Sequence, residues 1–189
     1  MTDRMRSLLE RIGVLLITAC MLLLAPPHAR AGDLSVTFAE RTYTKVFEAR
    51  NGPNIIIEFT ANAEKIEAWT YLVSWHAFPQ DPSTPAQAAQ RLGQLVKQRN
   101  PQANFKAIAN DKTGEAIVDF LTWAPNSDTM EFNVFRYAKG AAGLIAMQFA
   151  RRFKLGSIDA DEMKKIRGEA IEAMAKFDMT PLREHFARP

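Results

Sequence analysis

Residues 130–153 read MEFNVFRYAKGAAGLIAMQFARRF, and this stretch decides the fold. Two runs, Met130 to Ala138 and Leu144 to Phe153, flank the small-residue linker Lys139-Gly140-Ala141-Ala142-Gly143. Side chains alternate between the faces of a strand. Met130, Phe132 and Val134 therefore share one side of the first run, and Ile145, Met147 and Phe149 share one side of the second. Pairing Phe132 with Phe149, Val134 with Met147 and Arg136 with Ile145 merges them into one apolar surface. A slip of one residue would scatter it, so the pattern predicts an antiparallel hairpin in this register.

The same design stands upstream. Asn51-Gly52-Pro53-Asn54 is a turn signal, since Asn and Gly accept positive φ and Pro cannot join a ladder. Ile55 to Phe59 is a β-branched strand and Ile66 to Phe78 a longer one. Trp69, Tyr71, Val73 and Trp75 share one face of the longer strand. A tight hairpin would set Trp69 and Tyr71 opposite Ile57 and Ile55. Before them, Leu34, Val36 and Phe38 mark a first strand and Tyr43, Lys45 and Phe47 a second.

Each long hairpin leads into a helix. Thr84-Pro85 opens the first, with threonine as cap and proline in the first turn. Ala88, Ala89, Leu92, Leu95 and Val96 follow helical spacing, and Asn100-Pro101 ends it. Shorter strands at Phe105 to Ala109 and Ala116 to Trp123 come next. After the second hairpin, Ser157 or Asp159 caps a helix, with Glu162 placed as in a capping box. Met163, Ile166, Ala170, Met174 and Phe177 form its apolar stripe. Residues from about 180 onward read as a loose tail.

Strands, helix, strands, helix predicts an α+β domain: an antiparallel sheet of about six to eight strands with two main helices packed on it. This order resembles the PsbP/Mog1-like group of exported and accessory proteins, which share a sheet flanked by helices. The resemblance covers most of residues 33–178. It lies in element order, so it implies a fold and carries over no functional residue.

The chain opens with a targeting pattern. Arg4, Arg6 and Arg11 precede an apolar run from Ile12 to Ala25, and Ala29-Arg30-Ala31 supplies a small-x-small cleavage site. Cleavage after Ala31 leaves Gly32 as the mature start. The run is shorter than the roughly 20 residues that span a bilayer, and Pro26-Pro27 stops its helix. Ile17-Thr18-Ala19-Cys20 also resembles a lipobox, which makes a lipoprotein anchored at Cys20 the alternative to a periplasmic or secreted protein. Residues 1–31 hold four arginines and two carboxylates, so the chain's 24 basic and 21 acidic side chains fall to 20 and 19 beyond them. A domain so near neutrality lacks the cation excess that phosphate backbones require, and nucleic acid is not expected as a partner. Cys20 is the single cysteine. Its loss with the signal leaves a domain stabilised by packing alone, with no thiol chemistry.

Catalytic spacing is sparse. The sequence contains no His-x-x-x-His, Gly-x-Ser-x-Gly or Walker pattern, and no cofactor or metal is expected. His76 and His185 are the histidines left after the signal. Asp119 interrupts Ile117, Leu121 and Trp123, so it must meet solvent, pair with a cation or shift its pKa. It is expected in a polar row with Asn133 and Gln148, on the face opposite Arg136 and Arg151. Trp69 and Trp75 read first as core. With His76, Asp119 and Arg136 they are also the candidate ligand-binding residues. The sequence thus predicts a non-enzymatic envelope accessory or binding module, whose partner is an envelope protein or a small ligand. Contact with the membrane is expected only during export unless Cys20 is lipidated. A small hydrolase or lyase using Asp119 with Arg136 or His76 is one alternative. Another is an interaction module that pairs through a strand edge or the first helix.

Overall fold

The computed structural model describes residues 34–124 and 127–187. The targeting segment, with Cys20, Ala31 and Gly32, lies outside them. Eight antiparallel strands form one sheet: β1 (Ser35–Phe38), β2 (Arg41–Asn51), β3 (Asn54–Ala61), β4 (Tyr71–Phe78), β5 (Phe105–Asn110), β6 (Glu115–Trp123), β7 (Thr129–Gly140) and β8 (Gly143–Lys154). Their spatial order is β1-β2-β3-β4-β8-β7-β6-β5. Two four-stranded meanders thus meet along β4 and β8. Helix α1 (Pro85–Arg99) links them, and α2 (Ala160–Lys176) and α3 (Thr180–Ala187) follow β8. The class is α+β, with three helices among the described residues where the sequence predicts two main ones.

Register assigns every side chain to a face. Ile57, Trp75, Met147, Arg136 and Ile117 lie opposite one another on successive strands and define the front face. Glu58, Ser74, Gln148, Phe135 and Val118 form the adjacent row, and so point to the back. The front core joins Phe38, Phe59, Phe132, Val134 and Phe149 to Ile166, Ala170 and Met174 of α2 and Leu182 of α3. On the back, α1 packs across β5, β6 and β7. Its capping box is complete: the Gln87 N–H donates to Thr84 Oγ1, and the Thr84 N–H donates to Gln87 Oε1. Ala88, Ala89, Leu92 and Val96 are its buried stripe. Gly93 allows the closest approach, since a Cβ there would lie 2.1 Å from the Phe105 ring.

Four expectations need correction. In the β7–β8 hairpin Val134 pairs with Phe149 and Arg136 with Met147. This is a two-residue shift, because the strands run on to Gly140 and Gly143 and leave only Ala141-Ala142 as the loop. An even shift keeps each side chain on its face, so the apolar surface survives. Between β3 and β4 the link is not a tight hairpin, and Ile57 faces Trp75 rather than Trp69. The Thr60 hydroxyl donates to the Glu64 carbonyl, and the Glu64 carboxylate accepts from the Thr70 and Tyr71 amides. These bonds fix an irregular connection that contains Trp69. Asp119 pairs with Val134 and therefore belongs to the front face, not with Asn133 and Gln148. Residues 180–187 are helical rather than a loose tail, and Leu182 is fully buried.

Candidate functional site

The five candidate residues separate. Asp119 is 4% exposed on the front of β6. Its Oδ1 and Oδ2 accept from Nε and Nη2 of Arg167, which α2 lays over it. The fork matches both carboxylate oxygens. Hydrogen bonding to Asp119 in turn holds the Arg167 guanidinium above its ordinary pKa. Arg136 is two residues further along the same face of the sheet. Its Nε and Nη2 donate to Glu115, while Nη1 donates to the carbonyls of Met174, Ala175 and Phe177. Those carbonyls end α2 and have no partners within the helix, so Arg136 is the C-terminal cap that the local sequence lacks. Arg183 of α3 closes the cluster with a 2.8 Å bond to Glu115. Burial works to raise the Glu115 pKa, but hydrogen bonds and charge from Arg136 and Arg183 hold it below the usual range. Both candidates are therefore spent on docking α2 and α3.

Trp75 belongs to the front core, against Phe59 and the His185 ring. Trp69 packs on Leu72 and Ala150, on the back, with the Arg152 guanidinium 3.8 Å above its ring. Arg152 in turn donates to Glu131. His76 is also on the back. The sheet thus separates His76 from Asp119, and the two share no cleft.

The back of β4, β8 and β7 carries a polar chain. His76 Nε2 donates to Gln148 Oε1 at 3.2 Å, and Gln148 Nε2 donates to Asn133 Oδ1 at 2.8 Å. Burial drives the His76 pKa down to about 4, so the imidazole is neutral at pH 7. Its ring stacks with Phe78 and lies tilted against Phe135. Ser74 and Glu58 lie beside this chain, directly opposite each other on β4 and β3. The Ser74 hydroxyl is buried with no hydrogen-bond partner. Burial pushes the Glu58 carboxyl up to about 7, against the opposing charge of Arg152. Neither residue stood out in the sequence, although strand alternation from His76 places Ser74 on its face.

Among the described residues, three surfaces stay open. β1 pairs with β2 only over Arg41–Thr44, followed by one further bond from the Lys45 N–H to the Leu34 carbonyl. Beyond that point a bulge between Lys45 and Phe47 displaces the ladder, and Val46 and Phe47 are 40% and 39% exposed. Phe47 lies opposite Glu58 and so extends the back face where α1 does not reach. At the other edge, β5 exposes Ile108. Along the outer side of α1 runs an open groove of about 690 Å³, lined by Ser83, Gln87, Gln90, Arg91 and Gln94. Among the described residues, no cluster of three or more His, Cys, Asp or Glu could hold a metal ion. No described helix is long and apolar enough to cross a membrane.

No curated protein and no solved structure matches the chain significantly. A family model does match, over residues 32–179, from just before β1 to the segment between α2 and α3. The chain belongs to that family.

Proposed function

We propose that this is an exported envelope binding module that works by association rather than turnover, and that it takes a protein partner along β2. The observation that carries the reading is the length of β2 that no described strand pairs beyond β1, with Val46 and Phe47 exposed there. A strand edge presents a row of backbone donors and acceptors to any extended segment, and neighbouring apolar side chains add selectivity. Two further observations support the reading. Asp119 and Arg136 are committed to holding helices, and His76 is neutral within a buried chain. The likeness to the PsbP/Mog1-like group belongs to this proposal. So does export, which agrees with a family match that begins at residue 32, the predicted mature start.

The test is site-specific photocrosslinking in intact cells, with the probe at position 47 and a control probe at position 108 on the opposite edge. A protein adduct at 47 and none at 108 is expected. Equal labelling at both positions, or none at 47, sinks the reading. An adduct of small-molecule mass at 47 replaces the protein partner with a ligand. Export is tested separately by sequencing the N-terminus of the accumulated protein, which should begin at Gly32.

A further inference from the structure

Whatever pairs with β2 also meets the side chains in the next rows of the sheet. Phe47 lies directly opposite Glu58, and Glu58 directly opposite Ser74, so the three point to the back from successive strands. Residues opposed in this way on one face have Cβ atoms about 5 Å apart. Phe47 is 39% exposed, Glu58 is half-buried and Ser74 is fully buried. The row therefore runs from solvent at β2 to the interior at β4, with a carboxyl group in the middle.

That carboxyl group has no counter-charge of its own. Among the described residues, Glu58 has no hydrogen-bond or ion-pair partner. The groups around it are engaged elsewhere or neutral. On β4, the Ser74 hydroxyl has no partner and so does not donate to it, and His76 is joined to Gln148. On β2, Lys45 and Arg50 stand on the front face, opposite Phe59 and Ile55, and both pair with Glu48. Arg152 of β8 supplies the positive charge that reaches Glu58, but its guanidinium donates to Glu131 and lies over the Trp69 ring. The helix α1 packs on β5, β6 and β7 instead. Burial outweighs Arg152 and pushes the Glu58 carboxyl up to about 7.

A strand added to β2 brings one of its own back-facing side chains level with Phe47. Neighbouring strands lie about 4.8 Å apart, which puts the backbone of that residue about 10 Å from the backbone of Glu58. A lysine or arginine spans the gap. Its apolar stem lies across the exposed Phe47 ring and its charged head reaches the carboxylate. A short or acidic side chain at that position leaves Glu58 covered and unpaired, which is costly.

We infer that the segment taken along β2 is basic, and that a lysine or arginine level with Phe47 crosses that ring and pairs with Glu58. The inference rests on strand addition at β2 and supplies the chemistry of the partner's side chain.

The test is photocrosslinking in intact cells with the probe at position 46, which leaves Phe47 in place, and mass spectrometry of the adduct. The captured peptide should carry a lysine or arginine beside the crosslinked residue. Glu58→Gln should cut the adduct yield about tenfold. Glu40→Gln, which removes a carboxylate from the exposed turn before β2, should leave it unchanged. The pair needs the charged carboxylate, so the wild-type yield should fall between pH 8 and pH 6, and that dependence should vanish in Glu58→Gln. Urea unfolding of Glu58→Gln should show a fold at least as stable as wild type at pH 8, so a lost adduct is not a lost fold. An adduct that forms equally in Glu58→Gln, or that lacks a basic residue, overturns the inference and leaves strand addition standing. A wild-type yield that rises in acid also overturns it, because the partner then covers Glu58 with neutral groups. Absence of any adduct in wild type sinks the β2 reading and this inference together.

Discussion

The front of β6 and β7 and the back of β3 and β4 handle polar groups in opposite ways. On the front, Asp119 meets a matching fork from Arg167, and Arg136 divides its donors between Glu115 and three carbonyls of α2. Two helices cover that surface. On the back, α1 covers β5 to β7. Beside it, the Glu58 and Ser74 side chains lie opposite each other, the Ser74 hydroxyl has no hydrogen-bond partner, and Phe47 is exposed. A carboxylate or guanidinium under a helix can therefore be structural glue. The places to seek function are those where burial has not been matched by partners.

The largest expected effect breaks the front. Arg136→Met keeps the apolar stem but leaves three helix carbonyls and Glu115 short of donors. Removing one partner from a largely buried network costs about 3–5 kcal/mol. Urea unfolding at pH 7 should show that loss. A change under about 1 kcal/mol would mean the cluster is no stronger than a surface pair, and the contrast between the faces would collapse.

Next comes Glu58 on the back. Its folded pKa of about 7 lies above the ordinary carboxyl value, so the folded state favours the protonated form. The associated stability is fully present below about pH 4.5 and is lost as pH rises through 7. His76 works in the opposite sense. Its pKa falls to about 4, so its stability is present above the ordinary imidazole value and lost as pH drops toward 4. Glu58→Gln should raise stability at pH 8 by on the order of 2 kcal/mol and flatten the alkaline limb, leaving the acid limb of His76 intact. A limb that persists unchanged would show Glu58 to be better solvated than its neighbours Phe47 and Ser74 imply.

Why these groups escaped a reading of the sequence has a physical answer. Alternation and caps are local, so the β7–β8 hairpin, α1 and α2 are legible from residues such as Phe132, Met147, Thr84 and Asp159. Even register shifts cost nothing, because they preserve the face of every side chain. Ion pairing is not local. Asp119 was recognised as anomalous, but its partner lies 48 residues away on α2, and its face depends on pairing with Val134 rather than on β6 alone. Arg136 as a cap for α2 depends on how the helix crosses the sheet, which no spacing encodes. The segment from about 180 reads as a loose tail because it is short and lies at the chain end, although Pro181 suits the first turn of a helix, where its absent N–H would have no partner. Trp69 was misplaced because Glu64 reorganises the β3–β4 link through bonds to the backbone.

Two smaller effects sharpen the role of α1. Gly93→Ala would place a methyl group against the Phe105 ring. Overpacking of this kind costs about 1–3 kcal/mol, toward the lower end because Phe105 opens an edge strand and its ring can swing. Chemical denaturation of Gly93→Ala with and without Phe105→Leu separates the cases: the second substitution should recover most of the loss.

Thr84→Ala is the mildest change and the most discriminating. It removes one side of the α1 capping box and should cost about 1 kcal/mol, a fall of roughly 2–4 °C in Tm for a domain of this size. Because α1 rests on β5, β6 and β7, the loosening should be uneven. Amide exchange should accelerate in α1 and β5–β6 while β2 and β3 keep their protection. Such a pattern is expected only if the first meander draws its stability from the front helices. Uniform acceleration would mean that α1 supports both meanders, and the back of β3 and β4 would then no longer be the independently exposed surface on which binding along β2 depends.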